Sequence, residues 1–180
     1  MENARTKVIL GMIVLAAASR LLPHPPNFTP VGAMALIGGS LFANSAAAFG
    51  VPLAAMLLSD AVIGFHRGMP VIYACFALAV CIGFSLRGKR TIARVAGATL
   101  ASSLLFFVVT NFAVWAFGHG GLYPMTLEGL LACYLAAIPF FQNGLAGDAL
   151  YSALLFGGVA LAERQITALR EPGAMIHNEH

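Results

Sequence analysis

Apolar residues run through this chain in long blocks, separated by short polar breaks rich in proline, glycine and arginine. A helix that crosses a bilayer needs about 20 mostly apolar residues. Six blocks approach that length: residues 5–22, 30–43, 46–65, 69–86, 91–117 and 144–163. The first ends at Pro23-His24-Pro25-Pro26 and the third at His66-Arg67-Gly68. Block 30–43 is short, and block 91–117 is long enough to tilt. A seventh stretch, 126–141, is apolar but holds Glu128 and Pro139. The pattern predicts an all-α integral membrane protein. It would be a six-helix transmembrane bundle, with 126–141 as an interfacial or half-inserted helix before the last crossing. Residues 1–170 form one domain in this reading, and the polar tail 171–180 is expected to be a disordered cytoplasmic extension.

Composition agrees with lipid as the solvent. The chain is 59% hydrophobic and 9% charged, where soluble domains carry about 25% charged residues. The N-terminus has features of a signal peptide, but Ala16-Ala17-Ala18 runs on into Ser19-Arg20-Leu21-Leu22, which favours a retained first helix. Lysine and arginine prefer cytoplasmic loops. With the N-terminus inside and six crossings, Arg5, Lys7, Arg87, Lys89, Arg90, Arg94, Arg164 and Arg170 all fall inside, against Arg20 and Arg67 outside. That split requires 30–43 to cross and 126–141 not to cross. Both termini are then cytoplasmic. The net charge of +3 forms no stripe, so nucleic acid is not an expected partner.

Depth separates the polar residues. His24, Asn27, Asp60, Tyr73, Asn111, Tyr123 and Asp148 gather toward the outer ends, with Trp115, His119 and Glu128. The inner halves, such as IGGSLFA and LLFGGVALA, hold no charge, histidine, asparagine or tyrosine. A channel or proton relay would spread such groups through the whole depth, whereas a cup open to the outside needs them at one end. Asp60 is read either as a substrate contact or as a structural partner of Arg20 or Arg67, because buried charges find partners. Asp148 is placed in the first turn of the last helix, where a carboxylate suits the helix dipole. Asn111 faces either a neighbouring helix or a ligand. His24 lies in a proline-stiffened loop that suits the wall of a site and equally suits solvent.

Cys75, Cys81 and Cys133 match no metal or redox spacing. Cys75 is either a small packing residue or a soft thiolate ligand facing the cup. Nucleotide-binding and hydrolase motifs are missing. Small residues recur at four-residue spacing, as in Ala35/Gly39, Ala46/Gly50, Ala93/Gly97 and Gly158/Ala162. They serve packing within the bundle or docking of a membrane partner.

The stretches AIPFFQNGLAGDALYSALL, RLLPHPPNFTPVGAMALIGG and LAAMLLSDAVIGF, together with the layout and size, resemble the substrate-binding S components of energy-coupling-factor vitamin transporters. The resemblance implies a bundle in the bacterial inner membrane that binds a vitamin-like solute at its outer face. The site would be built from the loops between segments one and two, three and four, and five and six. It also implies a transmembrane energising partner docked on the small-residue inner surface. Segment one, VILGMIVLAAASR, lacks the Ala-x-x-x-Ala motif used for that docking, which speaks against the standard module. Solitary cobalamin-uptake members coordinate the corrinoid cobalt through a cysteine near the outer surface, and Cys75 with Asp60 and His24 matches that arrangement. No intrinsic cofactor is expected, and cobalamin enters as a transported ligand. The substrate contacts implied are His24, Asn27, Asp60, Tyr73, Cys75, Asn111 and Tyr123. An intramembrane enzyme and a ligand-free assembly partner are the competing classes.

Overall fold

Long apolar runs without hydrogen-bonding water leave a backbone one economical option, which is to satisfy its own polar groups as helix. The computed structural model describes residues 2–118, 121–166 and 169, and within them six helices and no strand. His119, Arg170 and the tail 171–180 lie outside the described residues. The helices are α1 (Glu2–Ser19), α2 (Val31–Leu41), α3 (Ser45–Ile63), α4 (Met69–Phe84), α5 (Ile92–Phe117) and α6 (Leu127–Gln165). Side-chain caps start three of them. Asn44 accepts from Ala46 N–H at 2.7 Å, Thr91 from Arg94 N–H at 3.3 Å and Thr126 from Gly129 N–H at 3.2 Å.

One sequence expectation needs correction. Stretch 126–141 is not a separate interfacial helix. It runs without a break into 144–163 as the 39-residue α6, with Pro139 inside. Proline removes one donor and normally ends a helix, but in apolar surroundings every non-helical alternative forfeits more hydrogen bonds than that one. At 1.5 Å per residue α6 is about 58 Å long, nearly twice a hydrocarbon core of about 30 Å. Of the six expected crossings, three have helices of full spanning length. Three helices, α3, α5 and α6, are long and apolar enough to cross a membrane. Charge at the start of α1 and the 11 and 16 residues of α2 and α4 keep the others below that measure.

α2 is the axis of the bundle. All eleven of its residues are buried, and it packs against each of the other five helices. Its closest neighbour is α4, which it meets through glycine. A Cβ built on Gly39 would run into the Val80 carbonyl oxygen and stand 3.1 Å from Gly83 Cα, and one on Gly83 would meet the Leu36 carbonyl oxygen. The Ala35/Gly39 pair thus serves packing within the bundle. By contrast, Gly50 of α3 and Gly97 of α5 face open space.

Polar contacts define the two ends. At one, Arg87 donates to the carbonyls of Gly39 and Phe42, at 2.9 and 2.8 Å. Glu163 joins Arg5 at 3.3 Å and Arg90 at 3.2 Å. The start of α1 and the end of α6 therefore meet at this basic end, and successive helices alternate in direction. At the opposite end Arg20, just past α1, reaches Asp60 of α3 at 2.7 Å. The outside of the bundle is apolar, with Leu58, Val62, Leu104, Val108, Leu131, Leu135 and Leu154 all exposed. A soluble monomer rarely shows so continuous an apolar surface, and this one is compatible with lipid.

Candidate functional site

Between α4, α5 and α6, toward the end opposite the Glu163 cluster, the helices enclose a partly open cavity of about 390 Å³. The N-terminus of α2 and the loop before it close one side through Asn27, Thr29 and Gly32. That loop has a sequence reason for its shape. Phe28 N–H bonds the Pro25 carbonyl at 3.0 Å. Pro26 then sits second in the turn and Asn27 third, with φ of 64°. Proline presets the second position, and asparagine is among the few residues that tolerate a positive φ at the third.

The floor is polar and lies near the middle of α5 and α6. Asp148 accepts from Ser103 Oγ at 2.7 Å, and Ser103 also bonds the Thr99 carbonyl at 3.0 Å. One turn below, Thr99 donates to Ser152 at 3.0 Å. Thr99/Ser103 on α5 and Asp148/Ser152 on α6 are both four-residue pairs, so each lies on one face of its helix. A second bond to Asp148 comes from the Ala33 backbone N–H of α2. α2 gains from it, because Pro30 at its N-cap supplies no side-chain bond and its first-turn residues are buried. Asp148 thus caps α2 from another helix. This corrects its expected place in a first turn. It lies deep inside α6, because 126–141 extends the same helix.

The upper walls are aromatic and amide. Phe76 stacks on Phe106 at 5.3 Å, and Phe107 packs on Phe141 at 4.8 Å. Asn111 Nδ2 bonds the Phe107 carbonyl of its own helix at 2.7 Å, which leaves its side-chain oxygen without a donor among the described contacts.

Near-complete sequence coverage identifies the family. The profile described as "Family of unknown function (DUF6580)" matches residues 1–169. The chain belongs to the DUF6580 family. No curated protein and no solved structure matches it.

In this DUF6580 member the sequence candidates divide into two groups. Asn27, Cys75 and Asn111 line the cavity. Asp60, Tyr73, His24 and Tyr123 do not. Asp60 is 5% exposed and is held by Arg20 at 2.7 Å and by the Tyr73 hydroxyl at 2.9 Å, so the structural-partner alternative describes its surroundings. Arg20 also donates to Ser59 Oγ and to the Met56 carbonyl. Asp60 and Tyr73 therefore position Arg20, and Arg20 itself lines the cavity. His24 is exposed in its loop, with Nδ1 at 2.9 Å from the Pro25 carbonyl. Tyr123 stands in the connection between α5 and α6. The loops before α2 and α4 contribute to the cavity, through Asn27, Thr29 and His66, whereas the described residues of the connection from α5 to α6 do not.

Sequence reasoning passed over Ser102, Ser103, Thr110 and the central role of Asp148. A signal was available. Asp148 is the only acid between Glu128 and Glu163, and Thr99 and Ser103 form a hydroxyl stripe in an otherwise apolar run. Among the described residues no three His, Cys, Asp or Glu side chains cluster to hold a metal ion.

Proposed function

We propose that this protein is an integral membrane protein that captures a small solute from one face of the bilayer for uptake. The observation that carries the reading is the partly open cavity, whose lining mixes aromatic rings with hydroxyl, amide and carboxylate groups from three helices and the loop before α2. Small-molecule sites are of this kind, with volumes of about 300–1,000 Å³ and a few convergent polar groups. The apolar outside of the bundle supports a lipid surrounding. Arg87, Arg90 and Arg5 at the far end support a cytoplasmic assignment for that end and for both termini, with the cavity facing outward. The bacterial inner membrane is the corresponding location.

The likeness to energy-coupling-factor S components rests on the sequence stretches alone and suggests a vitamin-like solute. Cobalamin is its most specific form, with Cys75 as the cobalt ligand. Cys75 lines the cavity and is 1% exposed. A corrinoid with its nucleotide loop overfills 390 Å³, so we favour a compact solute. Aquocobalamin mixed with the purified protein should keep its visible spectrum. A shift that disappears in Cys75→Ser, but not in Cys81→Ser or Cys133→Ser, would restore the corrinoid. An energising membrane partner would find its smoothest seat on the exposed faces around Gly50 and Gly97.

Ligand identification tests the reading. Protein purified from its native membrane should carry a small molecule in near-stoichiometric amount, released on denaturation and identified by mass spectrometry. Gly144 lines the cavity, and a Cβ there has only ordinary contacts, with Asn27 O at 3.6 Å. Gly144→Phe should fill the space and abolish both co-purification and uptake of that molecule into proteoliposomes. Wild-type protein that holds no solute and transports none overturns the proposal.

A further inference from the structure

We infer that the solute is an organic cation, a protonated amine on an apolar or aromatic body, whose ammonium group pairs with Asp148. The inference rests on the solute-binding reading and narrows it to a substrate class. It starts from an imbalance of charge. The ion pairs among the described residues join Arg5 and Arg90 to Glu163, and Arg20 to Asp60. None reaches Asp148. Yet Asp148 lies mid-helix in an apolar bundle, with a side of its carboxylate open to the cavity. Among the described residues, Arg20 is the one cation of fixed charge in the lining, and Asp60 already neutralises it. His66 sits in the same wall but is exposed at the loop before α4.

The groups that do meet Asp148 are neutral. Ser103 and the Ala33 N–H satisfy part of its hydrogen-bonding capacity. The N-terminus of α2 offers about half an elementary charge of compensation. About half a negative charge is left facing the cavity, in a setting where an uncompensated carboxylate is costly. A ligand ammonium is the missing counter-charge, and its N–H groups match the remaining lone pairs of the carboxylate.

The rest of the lining agrees. Phe76 with Phe106, and Phe107 with Phe141, line the cavity as two packed aromatic pairs. Aromatic faces attract cations within about 6 Å of a ring centre and also accept an apolar body. The side-chain oxygen of Asn111 is a further acceptor. An anionic solute would find Asp148 on the floor and, among the described lining residues, no uncommitted arginine or lysine to hold it.

The test uses the full-length protein in nanodiscs and three probes of similar shape: phenethylammonium, 2-phenylethanol and 3-phenylpropanoate. Calorimetry should show phenethylammonium binding most tightly and phenylpropanoate not at all. Asp148→Asn keeps the shape and the acceptor for Ala33. It should weaken phenethylammonium by about ten- to hundredfold, the worth of one charge-assisted hydrogen bond, and leave phenylethanol unchanged. Should that variant not fold, the wild-type preference for the cation over the neutral alcohol still decides. Equal binding of cation and alcohol, or a cation affinity unchanged in Asp148→Asn, overturns the inference while the cavity remains a solute site. Binding of none of the three overturns it as well, and the co-purified ligand then judges the broader reading separately.

Discussion

The carboxylate of Asp148 occupies the space that a side chain on Gly32 would fill. A Cβ built on Gly32 falls inside contact distance of all three carboxyl atoms. α2 and α6 therefore touch through a glycine on one side and an acid on the other. That closeness lets Asp148 cap α2 while it forms the floor of the cavity.

Gly32→Ala should consequently push Asp148 away from the Ala33 N–H. Overpacking of this kind costs about 1–3 kcal/mol. Thermal unfolding in detergent should show that loss, together with weaker binding of any cavity ligand. A Gly32→Ala protein with wild-type stability and binding would mean that Asp148 can leave its place freely.

The Arg20–Asp60 pair should matter for stability more than for ligand contact. Their side chains are 14% and 8% exposed, and removing one partner from a buried pair costs about 3–5 kcal/mol. Asp60→Asn should lower the unfolding midpoint strongly. The double variant Arg20→Met, Asp60→Leu should regain much of that loss, because apolar groups of similar volume often replace a buried pair at little cost. If Asp60→Asn keeps full stability and loses only ligand affinity, Asp60 is a binding residue after all.

Glycine packing gives a comparison within one protein. Gly39→Ala places a methyl against the Val80 carbonyl oxygen and should destabilise by about 1–3 kcal/mol. At Gly97 nothing lies within 4 Å. There the change to alanine should stabilise by about 0.4–1 kcal/mol, through reduced freedom of the unfolded chain. Equal shifts in the two variants would contradict the close approach of α2 and α4.

Sidedness can be read at Gly88, in the turn after α4, where φ is 69° and a side chain would meet nothing. In intact cells Gly88→Cys, made on a background without the three native cysteines, should resist a membrane-impermeant maleimide and react after permeabilisation. Labelling from outside would reverse the proposed orientation.

The sequence by itself determined the helical class, the apolar outer surface and the limits of α1 to α5 to within a few residues. Each of these follows from local composition, because an apolar run bounded by proline, glycine or arginine has few ways to satisfy its backbone. It could also narrow a structural partner for Asp60 to Arg20 or Arg67, since a buried acid needs a nearby cation and few are present. Tertiary structure decided the rest. Only packing carries α6 through Pro139 and so moves Asp148 from a helix start to mid-bundle, and only packing sets Asp148 against the N-terminus of α2. Asn27, Cys75 and Asn111 come from three separated elements, and nothing in their spacing announces a common cavity. Tyr73 looks as exposed to a ligand in sequence as Asn111 does, but the direction of its side chain gives it to Asp60. Whether a polar group faces a neighbour or a void depends on which helices lie beside it, and that is a property of contacts far apart along the chain.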